Sequence, residues 1–392
     1  MELLPPEIIR HSVLDCGFII GERFNPGMVQ VYANSATMRS IVTVLAGAIL
    51  FVAGVFGVEV NNLQQLADAR KNGEKLLTIK DMEVPAGVTL NLDGLQDGTV
   101  VQFAGKLTFG YTQWLGPLIK ITGKNIRVEG KPGHVIDGDG ARWWDGKGGN
   151  GGRKKPRFIY FQASNSIITG LRIKNSPVHC FAVNACYNVQ LTDIKMDNRD
   201  GRVKGHNTDA FDVANSDGVN INNCEVYNQD DCLAINSGKN IVFENNTCAG
   251  GHGISIGSVG GGAVVENVLV KRCRVVGSTL GIRIKTKKDE QCLIKDITYE
   301  DVELKNIKKT GIIIQGNYKN SGPTGLPSTN CPIQNLVVKN VRGNVDKKGS
   351  NILVWVANAS NWTWDAKIIG GKRELPCKGV PAGMDIKCGK PA

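Results

Sequence analysis

From Phe158 onward the chain repeats one pattern: a short β-branched or apolar run, an Asn, Ser or Gly turn, then a second apolar run. The unit returns at intervals of roughly 22 to 30 residues, the range in which solenoids are found. FIYFQASNSIITGLRIKNS from Phe158, CFAVNACYNVQLTDIKMDN from Cys180, AFDVANSDGVNINNCEVYN from Ala210 and CLAINSGKNIVFENNTCAG from Cys232 are successive copies. The pattern continues through segments opening at Gly253, Gly281 and Gly311. One such coil cannot bury its own apolar face, so neighbours must stack. The pattern predicts an all-β chain folded as a right-handed parallel β-helix. A β-sandwich would need antiparallel hairpin signals, which the variable spacing does not supply.

Two stretches depart from the repeat. Within residues 58–75, NNLQQLADARKNGEK reads as a short amphipathic helix that caps the open N-terminal edge of the solenoid. DGDGARWWDGKGGNGGRKKPR, from Asp137 to Arg157, is rich in glycine and lysine and reads as a long, solvated loop. Further upstream, Ile41 to Phe56 is continuously apolar, comes after Met38-Arg39 and precedes the small residue Gly57. That is the layout of a secretory signal peptide, and it is short for a span, which needs roughly 20 apolar residues. A buried strand or a signal anchor is the competing reading. The expected organisation is an upstream extension over 1–37 with Met38 as the true start, a signal peptide over 38–57, and one catalytic domain over 58–392.

Composition sharpens this picture at three points. With 41% hydrophobic and 21% charged residues the chain has the material for a large core and does not read as disordered, while 48 glycines and 6% aromatics suit short strands and tight turns. Ten of the 11 cysteines lie beyond the apolar run, Cys16 being the exception, which agrees with an oxidising compartment. Asn245, Asn358 and Asn361 open N-glycosylation sequons, consistent with a secreted, extracellular protein. The net charge of +11 becomes +12 without residues 1–57, which hold three basic and four acidic residues. An exported cation of this kind suits an anionic polysaccharide better than nucleic acid.

The chemistry lies where charged residues recur at coil spacing. Asp209 in HNTDAFDV, Asp230-Asp231 in NQDDCLAINSG and His252 in GGHGISIGSVG fall 21 and 22 residues apart. One coil separates neighbouring strands by roughly 4.8 Å, so Asp209, Asp230 or Asp231, and His252 form a ladder on one face. Arg283 and Lys285 in GIRIK alternate as strand residues and extend it. Crowded carboxylates raise at least one pKa, which keeps a protonated acid available beside an ionised one. Glycoside hydrolysis needs that combination. Each motif alone also reads as a turn or a polar strand face; their common spacing favours a site.

HNTDAFDV, NQDDCLAINSG, GGHGISIGSVGG and GIRIKT, in this order, resemble the four signature blocks of the polygalacturonases, glycoside hydrolase family 28. IDGDGARWWDGKGGNGG from Ile136 resembles a block of the endo-acting fungal-type members. The resemblance implies an inverting endo-polygalacturonase that cuts α-1,4 galacturonosidic bonds of pectin. It implies Asp230 as general acid, Asp209 and Asp231 as holders of the attacking water, and His252 as guardian of the acid's protonation. Arg283, Lys285 and Tyr318 would bind substrate, and Cys232–Cys248 and Cys377–Cys388 would be disulfides. No metal or cofactor is implied; the expected partner is polygalacturonate, with no nucleic acid, no membrane once the signal is removed, and a monomeric enzyme. The family's cysteine pair near the mature N-terminus is absent, and Cys180, Cys186, Cys224, Cys273, Cys292 and Cys331 are left without assigned partners. A silent pectin-binding homologue, an exo-acting or rhamnogalacturonan hydrolase and a calcium-dependent pectate lyase are the alternatives. The first would be expected to lack one of the four acid-cluster residues, and the last needs clustered oxygen ligands.

Overall fold

The computed structural model describes residues 57–319, 322–386 and 388. The upstream extension and all of the signal segment except Gly57 lie outside the described residues. From Gly57 onward the chain forms one solenoid of parallel strands, flanked at its start by helix α1 (Leu63–Lys71). Asn62 caps the helix by accepting a hydrogen bond from the Gln65 N–H at 2.9 Å, while the Gln65 side chain reaches back to the Asn61 N–H. Leu66 and Ala69 point into the core. Among the described residues no helix is long and apolar enough to cross a membrane.

The repeat seen in the sequence is the coil. The chain passes in turn through three strand columns, and each strand pairs in parallel with its counterpart one coil on. In the column that carries the site, Phe181, Phe211, Leu233, Ile254, Ile282, Ile312 and Ile352 stand in register. All are buried, and the rings of Phe181 and Phe211 stack with centroids 5.4 Å apart. Each such side chain contributes roughly 1.5–3 kcal/mol on burial. Because strand side chains alternate, this inward column fixes what the neighbouring positions present to solvent.

The corners explain the asparagines. Asn165, Asn188, Asn240, Asn267, Asn335 and Asn361 all have φ near +50 to +57°, the left-handed conformation that asparagine tolerates. Their side chains also bond along the axis: Asn188 donates to Asn165 at 2.9 Å and Asn267 to Asn240 at 2.7 Å. The polar turn is thus a stacked column that holds the coils in register.

The loop from Asp137 to Arg157 is only in part the solvated loop its composition suggests: residues 149–154 are exposed, but other parts of it are packed inward. Trp143 and Trp144 are buried, and their indole N–H groups donate to the carbonyls of Thr112 and Ser176. Lys155 is buried too and pairs with Asp145 at 2.8 Å. The tip turns toward the site, where the Gly149 N–H donates to Asn207 Oδ1 at 3.0 Å. Burying two tryptophans outweighs the loop's polar composition.

Candidate active site

Backbone bonds at the head of the site strands bring the acids together. Cys180 N–H donates to the Asp209 carbonyl and Ala210 N–H to the Asp231 carbonyl, so Asp209 and Asp231 lie on adjacent coils. They occupy the turns feeding the strands rather than the strands themselves. His252 enters through the Gly-His-Gly turn, and its own N–H donates to the Asp230 carbonyl at 2.8 Å. A Cβ on Gly251 would meet that same carbonyl at 2.1 Å, so the turn needs glycine there.

Asp230 is the most heavily bonded acid. Its Oδ1 lies 2.8 Å from His252 Nδ1 and accepts the Asp231 N–H at 2.9 Å, and its Oδ2 accepts from Asn207 Nδ2 at 3.2 Å. Burial pushes its carboxyl upward, but the His252 bond and the charges of His252 and Lys285 outweigh it and hold the group well below the usual carboxylate range. Burial likewise opposes a charge on His252, and the Asp230 bond more than compensates, so its pKa is raised. The pair therefore shares a proton across one hydrogen bond. Asp231 accepts from Ser255 Oγ at 2.6 Å and from Lys285 Nζ at 2.8 Å, with the Lys285 and Asp231 side chains only 9% and 2% exposed.

Asp209 is the opposite case. Its Oδ1 is buried without a hydrogen-bond partner, and burial, reinforced by the carboxylates of Asp230, Asp212 and Asp231, raises its pKa well above the ordinary value. The site thus holds one carboxyl whose proton affinity is raised, Asp209, beside one whose proton affinity is lowered, Asp230.

Two members of this cluster are not among the candidate residues, although one of them, Asp212, lies within HNTDAFDV. Asp212 faces outward in register with Ala234, Ser255 and Arg283. Burial and the Asp231 carboxylate push it up to about 7. His179 lies between the two raised acids, with Nε2 3.8 Å from Asp209 and Nδ1 4.0 Å from Asp212. Burial and the Arg157 charge lower it to about 4, so it is neutral at ordinary pH. The available signal was the outward parity of Asp212 in the alternating run FDVA.

Arg283 and Lys285 rise from one strand, with the guanidinium 5.2 Å and the ammonium 5.4 Å from the centre of the Tyr318 ring. Arg283 Nε is buried and has no partner among the described residues, which leaves a donor for an anionic ligand. Lys285, in contrast, is already bound to Asp231. Asp230, Asp231 and His252 offer atoms within 4.8 Å of one another, a spacing a cation could use. Those atoms are engaged in the His252, Ser255 and Lys285 contacts, so the donor set reads as an ion-pair network.

Outside the cluster, Cys232–Cys248 and Cys377–Cys388 are disulfides, as is the unassigned pair Cys292–Cys331. Cys180, Cys186, Cys224 and Cys273 are free and buried, and burial pushes the Cys224 and Cys273 thiols up to about 12. Asn245, Asn358 and Asn361 are all exposed.

Asp212 yields a stability prediction. Its pKa is about 7 in the folded chain against 3.8 for the free group, so the native state holds the proton more tightly. Stability is therefore lost as pH rises from about 4 to 7 and levels off above. Asp212→Asn should gain on the wild type over that window, reaching roughly 1–3 kcal/mol at its upper end. Thermal melts at pH 4.5, 6 and 8 check this; a constant difference would remove the ionisation as its cause.

The sequence profile of Glycosyl hydrolases family 28 matches residues 75–388. A probable endopolygalacturonase I from Aspergillus terreus is 50% identical over 315 residues, 79% of this chain and 85% of the other. Endopolygalacturonase I from Stereum purpureum, solved complexed with two galacturonate, shares the fold with a TM-score of 0.72 at 35% identity, over 80% of this chain and 95% of that one. Endo-xylogalacturonan hydrolase from Aspergillus tubingensis gives 0.66 at 25% identity, over 85% and 96%. With the profile spanning most of the chain and half the positions shared with a relative of similar length, the chain belongs to glycosyl hydrolase family 28.

Proposed function

We propose that this protein is a secreted, monomeric endo-polygalacturonase that hydrolyses α-1,4-D-galacturonosidic bonds of pectin with inversion. The observation that carries the reading is the division of the acids: Asp230 bonded to the protonatable His252, Asp231 to Lys285, and Arg283 with a free donor beside them. The relatives named endopolygalacturonase support the substrate. One chain supplies every residue of the cluster, and three disulfides suit an oxidising, extracellular compartment.

Arg283, with Lys285 and Tyr318, takes a substrate carboxylate and seats the bond over the acids. Burying that added negative charge raises the proton affinity of Asp230, which draws the proton of the His252 Nδ1 bond and passes it to the leaving oxygen. Asp209 and Asp231, on adjacent coils, hold the water that attacks from the opposite face. No carboxylate is left to attack carbon, so the product is the inverted anomer. The acids lie in the middle of the site column, with coils on either side, which suits cleavage within a chain.

Reducing-end release from polygalacturonate, with chromatography and proton NMR of the earliest products, tests this. Mixed oligogalacturonides with β reducing ends are expected. The α-anomer first would overturn the single displacement and the roles of Asp209 and Asp231; monomer alone would overturn endo cleavage; an unsaturated product would indicate a lyase.

A further inference from the structure

Beyond Lys285 the outward face changes character. Lys285 is in register with Gln315, and Gln315 with Trp355, so the three side chains leave the same face on successive coils, roughly 4.8 Å apart. The parallel row runs Arg283, Ile313, Leu353. Two cationic positions thus give way to uncharged ones. They open into a cavity of about 290 Å³ lined by Gln315, Asn317, Gly325, Leu353, Trp355 and Pro376, none of them charged.

The walls are fixed. The Gly325 carbonyl accepts from both Asn317 Nδ2 at 2.8 Å and Trp355 Nε1 at 3.1 Å. On the other side, Trp355 bridges to Lys378, and Cys377 next to Pro376 is tied to Cys388. Two polar atoms in these walls lack partners: Gln315 Nε2 and Asn317 Oδ1, on residues 2% and 5% exposed. A buried donor and a buried acceptor left open in this way cost stability unless a ligand supplies the complementary groups.

A sugar residue supplies them, with a ring face for Trp355, a hydroxyl for Asn317 and a carbonyl for Gln315. A free galacturonate carboxylate would meet no cation among the lining residues here, the Lys288 ammonium standing outside them beside Gly325. A methyl ester keeps the carbonyl, removes the charge and places its methyl against Leu353 and Pro376. We propose that this cavity is a subsite for a methyl-esterified galacturonosyl residue, so that the enzyme cuts partly esterified pectin with the ester seated beyond the Arg283–Lys285 position. The proposal rests on the reading of the chain as a polygalacturonase.

The test compares kcat/KM on polygalacturonate and on half-esterified pectin for the wild type, Trp355→Ala and Leu353→Lys. Trp355→Ala should lose about tenfold on the esterified polymer and under about twofold on polygalacturonate. Leu353→Lys, which adds a cation to the wall, should move preference toward polygalacturonate by a similar factor. Equal losses on both polymers would overturn the ester assignment. So would a larger loss on polygalacturonate, with Lys288, whose Nζ lies against Gly325 at the rim, then supplying the cation. Calorimetry with esterified and free hexagalacturonides on Asp230→Asn, with and without Trp355→Ala, reads the subsite independently of turnover. No tryptophan-dependent preference for the ester there sinks the subsite even if the enzyme is active. Wild-type inactivity on both polymers, with the preference intact, would instead count against the hydrolase reading.

Discussion

Asp230→Asn is expected to lower kcat on polygalacturonate by a factor of roughly 10²–10⁴ while KM stays within about threefold of wild type. The substitution keeps the shape and the oxygen that accepts the Asp231 N–H, so folding is preserved. It removes the carboxylate that bonds His252 and accepts from Asn207, and an amide has no acidic proton to give. Because Asp230 raises the His252 pKa, the variant also releases the imidazole toward or below its ordinary value, since burial then acts unopposed by that partner. Imidazole titration by NMR therefore reads the same residue through a second observable. Retained turnover would take the acid role from Asp230, and an unchanged His252 titration would show that the pair does not share its proton.

Much of this arrangement is legible without the fold, for a physical reason. A parallel β-helix makes one coil the unit of distance, so residues about one repeat apart in sequence, such as Asp209, Asp231 and His252, become neighbours. Position along the coil can then be read from spacing, and parity decides the face. What stays hidden depends on side chains crossing coils. Lys285 reaches Asp231 over 54 residues, and nothing in GIRIK distinguishes a lysine bound to an acid from one awaiting a substrate. Cys292 and Cys331 are 39 residues apart because the intervening coil is longer, which defeats a pairing guess from spacing. Asp212 looks like the polar half of an alternating strand, and its burial together with the carboxylates around it makes it unusual. The Trp143-Trp144 loop misleads because glycine and lysine dominate its composition while two indoles decide its position.

Lys285→Ala is expected to damage the enzyme in two separable ways. The Lys285–Asp231 pair is nearly excluded from solvent, and removing one partner of such a pair costs roughly 3–5 kcal/mol because the remaining charge is left unpaired. Asp231 then keeps only the Ser255 hydroxyl and faces Asp209, Asp212 and Asp230 without its cation, so its carboxylate is no longer held where it can activate water. That loss of base should lower kcat by at least about 10²-fold. Separately, KM on polygalacturonate should rise more than KM on highly esterified pectin, since esterification removes the charge the ammonium meets. The double variant Lys285→Ala/Asp231→Asn distinguishes the two effects: deleting the orphaned charge should restore most of the melting temperature and none of the turnover. If the double variant is no more stable than the single one, the pair is not the source of the stability loss. If KM shifts equally on both polymers, Lys285 serves Asp231 alone, and Arg283 with its free donor is left to hold the substrate carboxylate.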